Sequence, residues 1–181
     1  MGVNPVAALR APLERGAIHR GSFRVGGVSV QILSEYDDDV VLDPSLQPFC
    51  CESDSPEVSV RVEWARSLDS ASGRKLFDSG SIWRLYEDRT GLRFDFSIPA
   101  FAGRPYKRLL VDSCFQRAVL QMSEEYRARF PQSAYPLEYP LDELLIMHRL
   151  TQEKAIELHG CGIVRADGTG NLFVGHSGAG K

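Results

Sequence analysis

The chain runs out on Gly175-His176-Ser177-Gly178-Ala179-Gly180-Lys181, which spells G-x-x-x-x-G-K. No other stretch restricts the fold as tightly. Glycines in that pattern let successive backbone N–H groups turn inward around an anion, and the lysine adds a point charge at the end of a phosphate chain. Just before it, Leu172-Phe173-Val174 is a short apolar run, read as a buried strand that delivers the chain into the loop. A complete site of this kind also needs a Ser or Thr for Mg²⁺ and a helix whose N-terminus finishes the anion cradle. Both are expected beyond Lys181. Residues 1–181 therefore read as the front of a longer nucleotide-binding protein, and this stretch by itself is expected to bind ATP–Mg²⁺ weakly or not at all.

Composition sets broad limits. With 43 % hydrophobic and 25 % charged residues in 181, the chain has the make-up of a globular protein with room for one good core or a small domain plus part of another. A formal net charge of -3 supplies no basic footprint for nucleic acid. The first twenty positions hold no apolar run long enough for a signal peptide or a membrane span, so a cytoplasmic location without membrane attachment is expected. Cys50, Cys51, Cys114 and Cys161 show no C-x-x-C spacing, which predicts neither zinc nor a disulfide framework.

Read in order, residues 1–20 form an irregular lead-in. From Phe23 a β pattern sets in, with Val28, Val30 and Ile32 alternating with polar residues and Gly26-Gly27 marking a turn or bulge. Asp37-Asp38-Asp39 reads as a solvated loop. Val58, Val60, Val62 and Trp64 make one face of a clean strand, and 68–75 is a connection. A hairpin follows, 81–87 against 92–98, with Leu92, Phe94, Phe96 and Ile98 on one face and Trp83 and Tyr86 as packing aromatics. The basic run 104–108 is expected to be a charged turn. Periodicity leaves 115–126 open between helix and strand.

The prolines at 131, 136 and 140 mark a linker, and hence a boundary between a β-rich antiparallel region (21–130) and a second unit (141–181). Pro140 should open a helix at its first position, with Asp142 and Glu143 in the first turn where the helix dipole favours acids. Leu141, Leu144, Leu145 and Leu150 form its buried stripe, and His148 beside them reads as structural. Beyond Glu153-Lys154 the chain turns extended, 155–164, with a turn at 167–170 and the second strand of a hairpin at 172–174. The fold class expected is α+β.

Leu158-His159-Gly160-Cys161-Gly162-Ile163-Val164, the glycine-rich turn, and Leu172 through Lys181 together resemble the opening of the HPr kinase/phosphorylase catalytic domain and its divergent relatives. That family carries a His-Gly pair on the strand preceding the loop strand and a G-x-S-G-x-G-K core in the loop. Both are present, as His159-Gly160 and residues 175–181. Tyr139-Pro140-Leu141-Asp142-Glu143-Leu144-Leu145 also looks like the helix leading into the domain. The specific match covers about the last quarter of the chain.

The resemblance implies that the second unit is the start of a P-loop domain of the HPr kinase/PEP carboxykinase kind. It implies an ATP-dependent phosphotransferase using Mg²⁺, with a protein or small-molecule hydroxyl as acceptor. Lys181 would match the phosphate-binding lysine and His159 the active-site histidine. Gly175, His176, Ser177, Gly178, Ala179 and Gly180 would line the nucleotide phosphates. No metal ligand is assigned within the sequence. The front half does not look like the N-terminal domain of the true HPr kinases, which argues against HPr itself as substrate. A nucleotide-driven switch or hydrolase, and a binding protein with a decayed site, are the other readings. Self-association is left open.

Overall fold

The computed structural model describes residues 18–69, 73–88, 91–131, 135–156, 158, 160–175 and 178. It is a strand-rich α+β structure, with an eight-stranded sheet, a separate two-stranded hairpin and two α-helices among the described residues. The strands of the large sheet are β1 (His19–Val25), β2 (Val28–Ser34), β3 (Val58–Ala65), β4 (Arg74–Asp78), β5 (Trp83–Asp88), β6 (Gly91–Ser97), β7 (Pro105–Asp112) and β8 (Arg117–Ser123). They lie in the order β1-β2-β3-β8-β7-β6-β5-β4.

Local sequence explains the antiparallel pairs. Gly26 and Gly27 both have positive φ, 59° and 84°, as a two-residue hairpin turn between right-twisted strands requires. They join β1 to β2 with Val25 opposite Val28. From β4 to β8 the chain is a meander of neighbours. The expectation of a mostly antiparallel sheet needs one correction. β3 lies parallel to both β2 and β8, because the chain leaves β3 for the far edge and returns strand by strand to its other side. The undecided stretch 115–126 resolves into both forms: β8, then helix α1 (Glu124–Arg129), whose first turn is capped by the Ser123 hydroxyl accepting from Tyr126 N–H.

Cross-strand register gives the sheet two unlike faces. Val30, Ile32, Val60, Val62, Leu120, Met122, Leu109, Phe94 and Phe96 share the main core, and each is at most 6 % exposed. Trp64, expected to be buried with them, is only partly so. The opposite face carries Arg61, Glu63, Arg93, Asp95 and Arg108 by the same register. Part of it is covered by the connection after β3, where Leu68 is buried and the Asp69 carbonyl accepts from Arg108 Nη2 at 2.9 Å. Trp83 and Tyr86, three positions apart, therefore face opposite ways. Trp83 packs on Phe77 and Phe94, with ring centroids 5.0 and 6.0 Å away, while Tyr86 lies under the Arg93 guanidinium.

Two further expectations are overturned. The 68–75 connection ends inside a strand, since β4 begins at Arg74; Arg74 and Lys75 tolerate that position because β4 is an exposed edge. The basic run 104–108 is no turn but the start of β7, with Lys107 1 % and Arg108 8 % exposed. Arg108 forks onto both oxygens of Asp95 at 2.6 and 3.2 Å. Lys107 points into the core face between Phe96 and Met122 and is met by segment 135–138. That segment lies within 131–140, read as a linker, and its Leu137 is buried in the core.

Helix α2 (Leu141–Gln152) has Pro140 at its N-cap rather than at its first turn position. Leu141, Leu144, Leu145 and Ile146 join the core of the large sheet, so this helix, assigned from sequence to the unit of the hairpin, packs on the sheet. Each such fully buried side chain stabilises by about 1.5–3 kcal/mol relative to exposure. His148 fits the structural reading: its ring stacks on Phe115 at 4.9 Å and lies 5.7 Å from Phe94. Burial pushes its pKa down. No helix among the described residues is long and apolar enough to cross a membrane.

Candidate functional site

The hairpin that leads to the glycine-rich loop consists of β9 (Gly160–Val164) and β10 (Gly170–Val174). Its turn is built locally. The Asp167 carboxylate accepts from the Thr169 amide at 2.9 Å and from the Thr169 hydroxyl at 2.6 Å, which holds its pKa below the usual carboxylate value. Gly168 takes a φ of 83°, and Arg165 N–H donates to the Thr169 carbonyl at 2.8 Å. The register then places Val174 opposite Gly160.

Gly160, next to His159 in the sequence, thus pairs with the residue next to Gly175. A Cβ at Gly160 would stand 3.0 Å from the Phe173 carbonyl oxygen and 3.3 Å from Leu172 Cδ1, a tight fit that a larger residue meets only if these neighbours shift slightly. In the loop, Gly178 has a φ of 85°, a backbone state that side-chain-bearing residues rarely adopt. Of the residues singled out from sequence, Gly175 and Gly178 are described. His159, His176, Ser177, Ala179, Gly180 and Lys181 lie outside the described residues.

One expectation for the hairpin fails. Leu172, Phe173 and Val174, read as a buried strand, are 61, 49 and 58 % exposed. Ile163 and Val164 on β9 are exposed as well. The apolar run is present, but among the described residues no second layer covers it. Among the described residues no group of His, Cys, Asp and Glu is placed to hold a metal ion.

A second site was not legible in the sequence. Asp39, read as part of a solvated acidic loop, is 2 % exposed. Its Oδ2 accepts from the Ser34 hydroxyl at 2.6 Å and from the Trp64 indole N–H at 2.7 Å. Its Oδ1 faces Arg127 of α1, with Nη1 at 3.7 Å. The Arg127 guanidinium also lies 4.7 Å over the Trp64 ring and 3.5 Å from the exposed carboxylate of Asp38. These groups, with Pro131 and Tyr135, line a cleft of about 400 Å³. Trp64 in an otherwise Val-rich strand was the available signal. Nothing local tied it to an aspartate 25 positions earlier. No known protein family, characterised protein or solved structure matches the chain.

Proposed function

We propose that this chain is the front part of an ATP-dependent, P-loop phosphotransferase resembling the HPr serine kinases, working in the cytoplasm on a protein or small-molecule hydroxyl. The observation that carries this reading is the G-x-x-x-x-G-K motif standing directly behind β10, at the end where Val174 pairs with Gly160. A hairpin with glycine at that pair delivers the chain into a loop that must present backbone N–H groups to phosphates. The positive φ of Gly178 suits such a turn.

On this reading the loop amides and Lys181 hold the β- and γ-phosphates of ATP, and Mg²⁺ offsets their charge. The acceptor oxygen forms its bond to the γ-phosphorus as the bond to the ADP oxygen breaks, and the hydroxyl proton passes to a base. Such transfer depends mainly on positioning and charge neutralisation. His159 stabilises charge on the transferring group or orients the base.

The test is phosphate release and transfer from labelled ATP by the full-length protein. Lys181→Ala should weaken nucleotide binding and turnover together. His159→Ala should lower turnover by roughly 10²-fold with nucleotide affinity little changed. If His159→Ala only lowers stability, by about 1–3 kcal/mol, with turnover per folded molecule intact, the histidine leaves the site. If neither transfer nor ATP binding responds to Lys181→Ala, the phosphotransferase reading fails. Hydrolysis without transfer to any acceptor would make the protein a nucleotide-driven switch instead.

A further inference from the structure

The chain leaves the carboxyl ends of β2 and β3 in opposite directions. After β2 it turns through 37–40 and places Leu42 and Leu46 in the main core. After β3 it crosses the other face, where Asp69 meets Arg108. Neighbouring parallel strands whose continuations part in this way leave a crevice at their carboxyl ends, the position where open parallel sheets bind ligands. The cleft of Asp39, Trp64 and Arg127 occupies that position. Trp64 is near the end of β3, Asp38 and Asp39 follow β2, and Arg127 follows β8, the third strand of the parallel set.

The chemistry inside it is bipolar. The Arg127 guanidinium meets Asp38 and Asp39 at 3.5 and 3.7 Å, whereas charge-assisted N–H···O bonds close to about 2.7–2.9 Å. The pairing is loose and the Arg127 side chain is 38 % exposed, so the guanidinium keeps donor capacity towards the open cleft. Asp39 lines the same cleft and is held in place through Oδ2 by Ser34 and Trp64. Asp38, at 86 % side-chain exposure, stands at the rim. An anion alone would meet two carboxylates, and a cation alone would meet the guanidinium. A ligand that carries both charges satisfies both sides.

We propose that this cleft binds a small zwitterion of the α-amino-acid type, its carboxylate on the Arg127 fork and its ammonium between Asp38 and Asp39. The volume of about 400 Å³ falls within the range of small-molecule sites. The site does not depend on the glycine-rich loop, so Lys181→Ala should leave this binding unchanged, and its failure is separable from failure of the phosphotransferase reading.

The test uses the full-length protein and the common L-amino acids, each at about 10 mM, in thermal unfolding, since a ligand held by the folded state raises the melting temperature. The best probe is then titrated by calorimetry beside its N-acetyl form, which lacks the ammonium, and its methyl ester, which lacks the carboxylate. At least one amino acid should stabilise, and both blocked forms should bind roughly tenfold or more weakly. Arg127→Gln should remove the discrimination against the ester, and the surface change Asp38→Asn should weaken the amino acid without altering the fold. Stabilisation by none of the amino acids overturns the proposal. So does equal binding of either blocked form, or unchanged binding in both variants.

Discussion

Lys107 is the clearest place to test how the sheet is held together, because its burial and that of its partner are unequal. The ammonium is 1 % exposed and donates to Glu138 Oε1 at 2.8 Å and to the Tyr135 carbonyl at 3.0 Å, while the Glu138 side chain keeps 23 % exposure. Burial pushes the lysine pKa down, against the upward pull of Glu138. Removing Glu138 leaves a charge that cannot reach water, and Glu138→Leu should cost about 3–5 kcal/mol at neutral pH. Lys107→Met instead leaves a carboxylate that can turn outward, at a cost of about 1–2 kcal/mol. The double variant, with an apolar pair, should lie within about 1 kcal/mol of the parent.

The pH dependence follows from the sign. A lysine whose folded pKa lies below its unfolded value of 10.5 contributes stability that is present above 10.5 and lost as pH falls through the folded pKa. Glu138→Leu lowers the folded pKa further. Its deficit should therefore shrink as pH rises from that lowered value to the parent's folded pKa, by about 1.4 kcal/mol per unit within the window, and stay level above it. Urea unfolding followed by the fluorescence of Trp64 and Trp83 reads all of this from the shift in midpoint and slope. A larger loss for Lys107→Met than for Glu138→Leu, or a deficit that does not change with pH, would refute the reasoning.

His148, whose pKa burial pushes below 6.5, contributes stability that is present above pH 6.5 and lost as pH falls through its lowered folded value; His148→Phe should remove that acid-side loss, visible as a flatter melting temperature between pH 7 and 5. Gly91 pairs with Asp112, and a Cβ there would collide with the Val111 carbonyl oxygen. Gly91→Ala should accordingly cost about 1–3 kcal/mol in urea unfolding through strain on the β6–β7 pairing, whereas Gly27→Ala, with open space around it but a φ of 84°, should cost only about 1 kcal/mol.

What could be read from the sequence was set by how local the information is. β3 announces itself by alternation, and the β1–β2 turn by its glycine pair. The β9–β10 hairpin follows from an Asp-Gly-Thr-Gly turn whose hydrogen bonds close within a few residues. Charged residues inside the sheet gave no such sign. Lys107 looks like a turn residue until Glu138, 31 positions later, is brought beside it. Arg108 depends in the same way on Asp95, and Asp39 on Trp64. The parallel pairing of β3 with β8 was invisible because it joins residues separated by the whole β4–β7 meander. Docking of α2 was hidden by its prolines, which mark an irregular approach but cannot say whether that approach is free or fastened.

The two β systems also differ in how their open edges are managed. β4 closes one side of the large sheet with an exposed strand that carries Arg74, Lys75 and Asp78, each in an ion pair, and a break in register between Lys75 and Phe77. Charge and irregularity on an edge discourage further strand addition. β9 and β10 lack both devices. Their register is unbroken and their exposed side chains include Ile163, Val164, Leu172, Phe173 and Val174. A two-stranded ribbon is at best marginally stable in water without a layer to pack on, so the fixed pairing of Val174 with Gly160 needs cover on at least one apolar face to hold the loop steady. On the phosphotransferase reading that cover comes from the nucleotide-binding fold itself.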